Sequence, residues 1–324
     1  MGKEEITVSV IMITYGHEKY IKEAINSVLV QKCNFTIELI IGDDNSPDNT
    51  EEVVSAFLKH HPKKHLVRYT KHKVNKGMNG NSQWIANQTR GKYIAVCEGD
   101  DYWSDPNKLQ KQVDFLEENP SYGMVYAKSN IFEENSQKFL KLIVGSSITK
   151  KGVLYINSIP TLTTLYRSDL YQRYIIENKE ILSNWLMGDY PKWIWFYYNS
   201  KIHFINEIMA VYRKLENSAS NFVDAKKEMA FKYNIINIKM HYGEKYLTDS
   251  EYSKLKNHIF IKYYFSALIL DPTDSIIYYN QLMEIDAMES TTRVKLFLLE
   301  RLKFKQLYLF WSKIKGILKM YNVS

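Results

Sequence analysis

Glu98-Gly99-Asp100-Asp101 packs three carboxylates around one glycine, and Asp43-Asp44-Asn45-Ser46 forms a second acidic cluster earlier in the chain. Several carboxylates at one turn suit a hard divalent cation such as Mn2+ or Mg2+, which takes oxygen ligands and keeps places for waters and phosphate oxygens. A cation clamped there can hold a diphosphate, while an aromatic such as Tyr15 and an acceptor such as Asp44 could hold a base. The plain alternative for residues 43–46 is turn chemistry with a cap for the next helix. That alternative is weaker for residues 98–101, because capping needs one acid and Asp105-Pro106 already offers a capping acid followed by a first-turn proline.

The elements that must position these residues can be read from hydrophobic period. Residues 7–14, 37–41, 66–69, 93–97 and 124–127 are short apolar, β-branched runs that predict strands. Between them Ile21, Ala24, Ile25 and Val28, then Val53, Val54, Phe57 and Leu58, then Leu109, Val113 and Leu116 recur at helical spacing, with a shorter helix over 82–89. Such alternation predicts an α/β fold with a mostly parallel sheet and helices on both faces. Ligands of open α/β sheets bind at the carboxyl ends of the strands. Thr14-Tyr15-Gly16-His17, Asp43-Asp44-Asn45 and Glu98-Gly99-Asp100-Asp101 follow three of those strands, so they should converge on one edge. Residues 128–165 are less regular, and 168–177 read as a helix. Gly188-Asp189-Tyr190-Pro191 opens another, with Asp189 suited to the N-cap. Residues 202–205 and 208–212 read as two short strands, and from about 225 onward the texture is helical.

At this point the motifs resemble a known family. Val8-Ser9-Val10-Ile11-Met12-Ile13-Thr14-Tyr15, Glu38-Leu39-Ile40-Ile41-Gly42-Asp43-Asp44-Asn45-Ser46, and Gly91-Lys92-Tyr93-Ile94-Ala95 leading into Glu98-Gly99-Asp100-Asp101-Tyr102-Trp103 look like the family 2 glycosyltransferases, in order and spacing, over roughly residues 5–215. The resemblance implies a GT-A fold and inverting transfer from a nucleotide diphosphate sugar, with a UDP-sugar favoured. It implies that Asp44 reads the base with Thr14 and Tyr15 beside it, that Asp100 meets ribose, diphosphate and metal, and that Asp101 closes the same metal-binding turn. Glu98 replaces the usual first Asp, one methylene longer. Asp189 takes the position of the general base, a role that coexists with helix capping. Tyr212-Arg213 resembles the family's Tyr-Arg-x-His element, with Leu215 at the His position. Arg213 then either meets the diphosphate or makes an ordinary ion pair. Asn75-Lys76-Gly77 and Asn81 resemble the segment flanking the donor, and Asp43 sits beside the base reader.

Composition narrows the rest. Two cysteines, Cys33 and Cys97, exclude a disulfide framework and a cysteine zinc site and fit a reducing cytoplasm. The first residues carry no signal-peptide pattern, and no apolar run is long enough to span a bilayer. His60, His61, His65 and His72 lack ligand spacing. The net charge of +7 lies entirely in the tail from Arg293, where eight Lys and Arg face one acid, Glu300. That tail carries Tyr308, Phe310 and Trp311 among Leu and Ile, which fits either packing onto the catalytic domain or an interfacial helix on the anionic inner face of a membrane. Nucleic acid is not expected, since no recognition motif accompanies the charge. The expected organisation is a catalytic domain over 1–220 and a helical region over 221–324, with the basic amphipathic tail from about 293. The expected acceptor is a glycan or a lipid-linked hydroxyl in cell-surface polysaccharide synthesis. Two rivals stand beside this reading. A non-catalytic partner of the same fold would account for Glu98 and Leu215. A sugar-phosphate nucleotidyltransferase would need a basic Gly-rich loop where Tyr15-Gly16-His17-Glu18 stands.

Overall fold

The computed structural model describes residues 5–216 and 225–270. The chain divides into two compact units, Met1–Ser218 and Ala219–Ser324. In the first, strands β1 (Val8–Thr14), β2 (Ile37–Asp43), β3 (Val67–Lys71) and β4 (Tyr93–Val96) run parallel in the order β3-β2-β1-β4. They are joined by helices α1 (Ile21–Leu29), α2 (Thr50–Lys59) and α3 (Gly77–Ala86). Strands β1, β2 and β4 are buried almost throughout, which is why they read as continuous apolar runs and not as alternating ones. Helix α1 turns Ile21, Ala24, Ile25, Val28 and Leu29 into the core, each larger side chain contributing roughly 1.5–3 kcal/mol by burial.

Beyond β4 the sheet becomes mixed. Strand β5 (Tyr102–Trp103) follows the acidic turn at once, then come α4 (Lys108–Glu118), β6 (Tyr122–Glu133), β7 (Lys138–Val144), β8 (Leu165–Arg167), α5 (Ser168–Asn178), α6 (Tyr190–Asn199) and β9 (Lys201–Lys214). The order continues β4-β8-β6-β9-β5, with β7 paired to β6. The α/β class and the parallel half are as the sequence predicts.

Three local readings are corrected. Residues 202–205 and 208–212 are one strand, β9, running parallel to β6. Asn206 and Glu207 look like turn residues, but they are absorbed in a bulge, because Ala127 pairs Ile205 while Lys128 pairs Ile208. Strand β6 likewise runs well past residue 127 and turns into a hairpin with β7. Asp105 does not cap α4, whose preceding residue is Asn107; its carboxylate accepts the Asn107 N–H (2.8 Å) one turn earlier.

In the second unit α7 (Ala225–Tyr246) and α8 (Asp249–Leu270) pack together, and Met229, Ile236, Tyr242, Leu255 and Ile259 on them are buried. Among the described residues no helix is long and apolar enough to cross a membrane. The tail from Arg293, with its expected membrane contact, lies outside the described residues.

Candidate functional site

The carboxyl ends of β1, β2 and β4 come together as the strand order requires. Backbone bonds from Asp44 N–H to the Thr14 carbonyl (2.9 Å) and from Gly99 N–H to the Ile13 carbonyl (3.0 Å) tie the two acidic clusters to the end of β1. Tyr15, just beyond, is half exposed.

The β2 end separates into residues whose polar atoms are all used internally and one, the buried Asp44, that keeps an oxygen unused among the described residues. Asp43 is fully buried and uses both oxygens internally, accepting from Ser46 N–H (2.7 Å) and from the Tyr69 hydroxyl (2.5 Å). Asn81 is also buried, donating to the Gly42 carbonyl (2.7 Å) and meeting His72 Nε2 at 3.0 Å. A β-carbon on Gly42 would stand 2.5 Å from Asn81 Oδ1, so only glycine allows this bracket. Lys76 acts through its backbone: its N–H donates to Asp44 Oδ1 (2.7 Å), while its side chain lies in solvent. Asp44 Oδ2 makes no hydrogen bond among the described residues and is the acceptor this end offers to a ligand.

The β4 end carries the charge. Asp101 is buried and its Oδ1 accepts the Arg213 N–H (2.8 Å), which locks the turn to β9. Burial, and then the neighbouring charges of Asp100 and Glu98, push the Asp101 carboxyl well above its usual range. Glu98 is half-buried, and its Oε2 is sealed from solvent and accepts no hydrogen bond among the described residues. Burial and the charges of Asp100 and Asp189 raise it to about 8. Asp100 remains partly open, with Oδ2 3.8 Å from His17 Nε2, while His17 Nδ1 lies 3.1 Å from Thr14 Oγ1. His17 was not singled out from sequence; its place directly after the β1 end was the available signal.

Gly99 is required by this contact. A β-carbon there would lie 2.7 Å from Thr14 Oγ1 and 3.0 Å from His17 Nδ1, and Thr14 is buried and cannot retreat. Gly99→Ala is expected to lower stability by about 1–3 kcal/mol, as read by urea unfolding.

Arg213 follows the plain alternative. Its guanidinium pairs with Glu23 and with Glu134 (3.4 Å) and packs on the rings of Tyr102 and Tyr20, 4.8 and 5.3 Å from the centroids. It is buried in this cluster, and its structural role is to carry the backbone N–H that holds Asp101.

Asp189 caps α6, with Oδ1 accepting the Tyr190 N–H (2.7 Å) and Oδ2 accepting the Thr161 hydroxyl (3.0 Å). Its charge acts on Glu98, so the cap and the acidic turn share one electrostatic neighbourhood. Lys192, overlooked from sequence, belongs to it too: it is buried, and its charge is coupled to Asp189 and Glu98.

The two ends of the sheet differ in how acids are neutralised. At the amino end buried Glu38 accepts from Ser9 (2.6 Å) and from Arg90 (2.6 and 3.1 Å) and lies 3.4 Å from Arg68. Burial alone would raise its pKa, but the bonds from Arg90 and Ser9 hold it below the usual value. At the carboxyl end Glu98, Asp100 and Asp101 crowd together, and one buried oxygen, Glu98 Oε2, accepts no hydrogen bond among the described residues. Among the described residues no three His, Cys, Asp or Glu side chains form a ready cage. Mg2+ and Mn2+ sites of this kind use one or two carboxylates, with phosphate oxygens and waters completing the shell. The hard-oxygen donor set and the orphaned oxygen therefore fit a cation shared with a diphosphate, with Asp100 the reachable ligand.

Comparison with known proteins bears on the family and the fold. The sequence model of Glycosyl transferase family 2 matches residues 9–178. The chain is 31% identical over 209 residues to Rv1520 of Mycobacterium tuberculosis, 64% of this chain but only 58% of that protein. It is 27% identical over 234 residues to a Bacillus subtilis protein named as a teichuronic acid biosynthesis glycosyltransferase, TuaG, covering 71% of this chain and 88% of that one. Among solved structures, the 1–349 fragment of Staphylococcus aureus TarS in complex with UDP-GlcNAc aligns with a TM-score of 0.60 at 18% identity, over 94% of this chain and 88% of that one. The mannosyltransferase PcManGT of Pyrobaculum calidifontis, solved with GDP-Man and Mn2+, aligns with a TM-score of 0.55 at 13% identity, over 95% and 84%. At such identities the structural likeness is one of fold.

Proposed function

This chain belongs to glycosyl transferase family 2, and on that premise we propose that it transfers a sugar, with inversion, from a nucleoside diphosphate sugar to an acceptor hydroxyl. The acceptor is a glycan or a lipid-linked sugar of cell-surface polysaccharide synthesis, and residues 1–220 are the catalytic domain. The observation that carries this reading is the convergence at one sheet edge of an exposed ring (Tyr15), an unengaged carboxylate oxygen (Asp44 Oδ2) and a turn that crowds three carboxylates together (Glu98, Asp100 and Asp101).

In this proposal Tyr15 stacks on the base, Asp44 Oδ2 accepts from it, and Thr14 holds the turn. Asp100, with Glu98 and Asp101 behind it, faces the diphosphate. A divalent cation bound at Asp100 would supply the positive charge that a diphosphate needs among carboxylates. Asp189 Oδ2, aligned by Thr161, takes the proton as the acceptor oxygen attacks the anomeric carbon and the bond to the diphosphate oxygen breaks. TarS is solved with UDP-GlcNAc and PcManGT with GDP-Man and Mn2+, so the donor proposed here is a UDP-sugar, with GDP-mannose as the competitor and Mn2+ as the cation. Action at the inner face of the membrane remains a proposal tied to the tail from about residue 293.

A thermal-shift panel tests donor choice. With Mn2+ present, UDP and UDP-sugars are expected to raise the Tm by several degrees, since saturating ligand at about 100 times Kd contributes about 2.7 kcal/mol. A shift confined to guanosine compounds would move the donor to GDP-mannose, and no shift with any nucleoside diphosphate would oppose the reading.

A further inference from the structure

The nucleotide end of the site and the proposed base stand on distant parts of the chain, and one side chain ties them together. The start of α3 is fastened to the end of β2: Lys76 N–H donates to Asp44 Oδ1 (2.7 Å), Asn75 Nδ2 to the Asp44 carbonyl (3.0 Å) and Asn81 Nδ2 to the Gly42 carbonyl (2.7 Å). Asn79, the third residue of the same helix, reaches the other way. Its Nδ2 donates to the Trp185 carbonyl (2.7 Å), 106 residues further along the chain. Trp185 ends a local turn and Asp189 caps α6, so the bond falls on the stretch that delivers the cap. Asn79 Oδ1 lies against that stretch too: a β-carbon on Gly188, the residue before Asp189, would stand 3.2 Å from it. This oxygen is sealed from solvent and accepts no hydrogen bond among the described residues. Buried polar atoms are nearly always paired, so an asparagine that leaves one oxygen bare is not explained by stability alone. What it supplies is a directed bond between the nucleotide end and the loop before Asp189.

We propose that Asn79 is a positioning residue for the transfer reaction: it fixes the spacing between the segment that holds the nucleotide, through Asp44 and α3, and the loop that presents Asp189 to the acceptor. The proposal rests on Asp189 being the base. A base must stand within hydrogen-bond reach of the acceptor hydroxyl, and that hydroxyl must itself be aligned with the donor. Thr161 and the Tyr190 N–H orient the Asp189 carboxylate, but neither bond reaches the nucleotide end. Asn79 does reach it, through a helix pinned to Asp44 and Gly42. A misplacement of about 1 Å in such a spacing lowers turnover on the order of a hundredfold while each ligand keeps its own contacts.

The test is a double-mutant cycle. It reads nucleoside diphosphate release at saturating donor, with Mn2+ and the best substrate of a UDP- and GDP-sugar panel, alongside calorimetric titration of the matching nucleoside diphosphate. Asn79→Ala is expected to slow release at least about tenfold and to leave nucleoside diphosphate affinity within about twofold of wild type. In the Asp189→Asn background the same substitution should change the residual rate by less than about twofold, because the group it positions is already gone. Gly188→Ala presses on Asn79 Oδ1 from the loop side and carries the same comparison should Asn79→Ala not fold. An equal fold-loss in both backgrounds, or release by a folded Asn79→Ala within about twofold of wild type, overturns the proposal. So does an affinity that falls as far as the rate, which would leave Asn79 as a packing contact of the donor side. Near-native release by Asp189→Asn would instead remove the base assignment, and the proposal with it, whatever Asn79→Ala does. No release by wild type from any donor would remove the transferase reading on which both stand.

Discussion

Asp189→Asn is expected to lower kcat by roughly 10²- to 10⁴-fold, the range a positioned general base contributes, and to leave donor affinity within about twofold of wild type. The substitution is mild structurally. Asn retains an oxygen to accept the Tyr190 N–H, and its amide can donate to the Thr161 oxygen in place of the bond now received. What it removes is the lone pair that receives the acceptor proton. Stability should change by less than about 1 kcal/mol, because asparagine caps helices as well as aspartate does. Steady-state kinetics with a calorimetric titration of the nucleoside diphosphate separate the two quantities. A variant that turns over at the native rate would leave Asp189 as a cap and place the base elsewhere.

The second large effect is expected at Asp100. Asp100→Ala should reduce nucleoside diphosphate affinity at least about tenfold in Mn2+, and wild type in EDTA should fall to the same level. Bare carboxylates repel a diphosphate, and only a cation between them reverses the sign. Asp101→Ala should behave differently, although both residues were expected at the metal. Asp101 is buried and accepts the Arg213 N–H, so its loss strands a donor and loosens β9 from the turn, costing about 1–3 kcal/mol. Urea unfolding with titration in Mn2+ distinguishes an affinity defect in a stable protein from one that follows destabilisation. Equal binding with and without EDTA would contradict the cation assignment at Asp100.

The parts of the molecule legible in the sequence are those whose cause is local. β1, β2 and β4 are buried on both faces, so each is written as a mainly apolar run, and β2 and β4 lead straight into the two acidic clusters. Asp189 is legible as a cap because Pro191 follows it within the first turn. The parts that were not legible depend on partners far away in the chain. β9 reads as two strands because Asn206 and Glu207 are turn-like, and only pairing with β6 shows them to be a bulge. Arg213 reads equally well as a phosphate ligand until Glu23 and Glu134 are found beside it. Asp43 and Asn81 look available until Tyr69, Ser46, Gly42 and His72 are seen to use their polar atoms. Lys192 did leave a signal, a lone lysine among Tyr190, Pro191, Trp193, Ile194, Trp195 and Phe196, but a lysine near a helix start is ordinarily taken for a solvated one.

The claim that the edge formed by Tyr15, Asp44 and the Glu98–Asp101 turn works on nucleotide sugars is tested most directly by nucleoside diphosphate release. Purified protein with Mn2+ and a panel of UDP- and GDP-sugars, without acceptor, should slowly liberate UDP from at least one UDP-sugar as water takes the acceptor's place. The release should stop in EDTA and in Asp100→Ala, and fall at least about a hundredfold in Asp189→Asn. Release that is unaffected by EDTA and by both substitutions, or no release from any donor by a protein that binds none of them, would contradict the account.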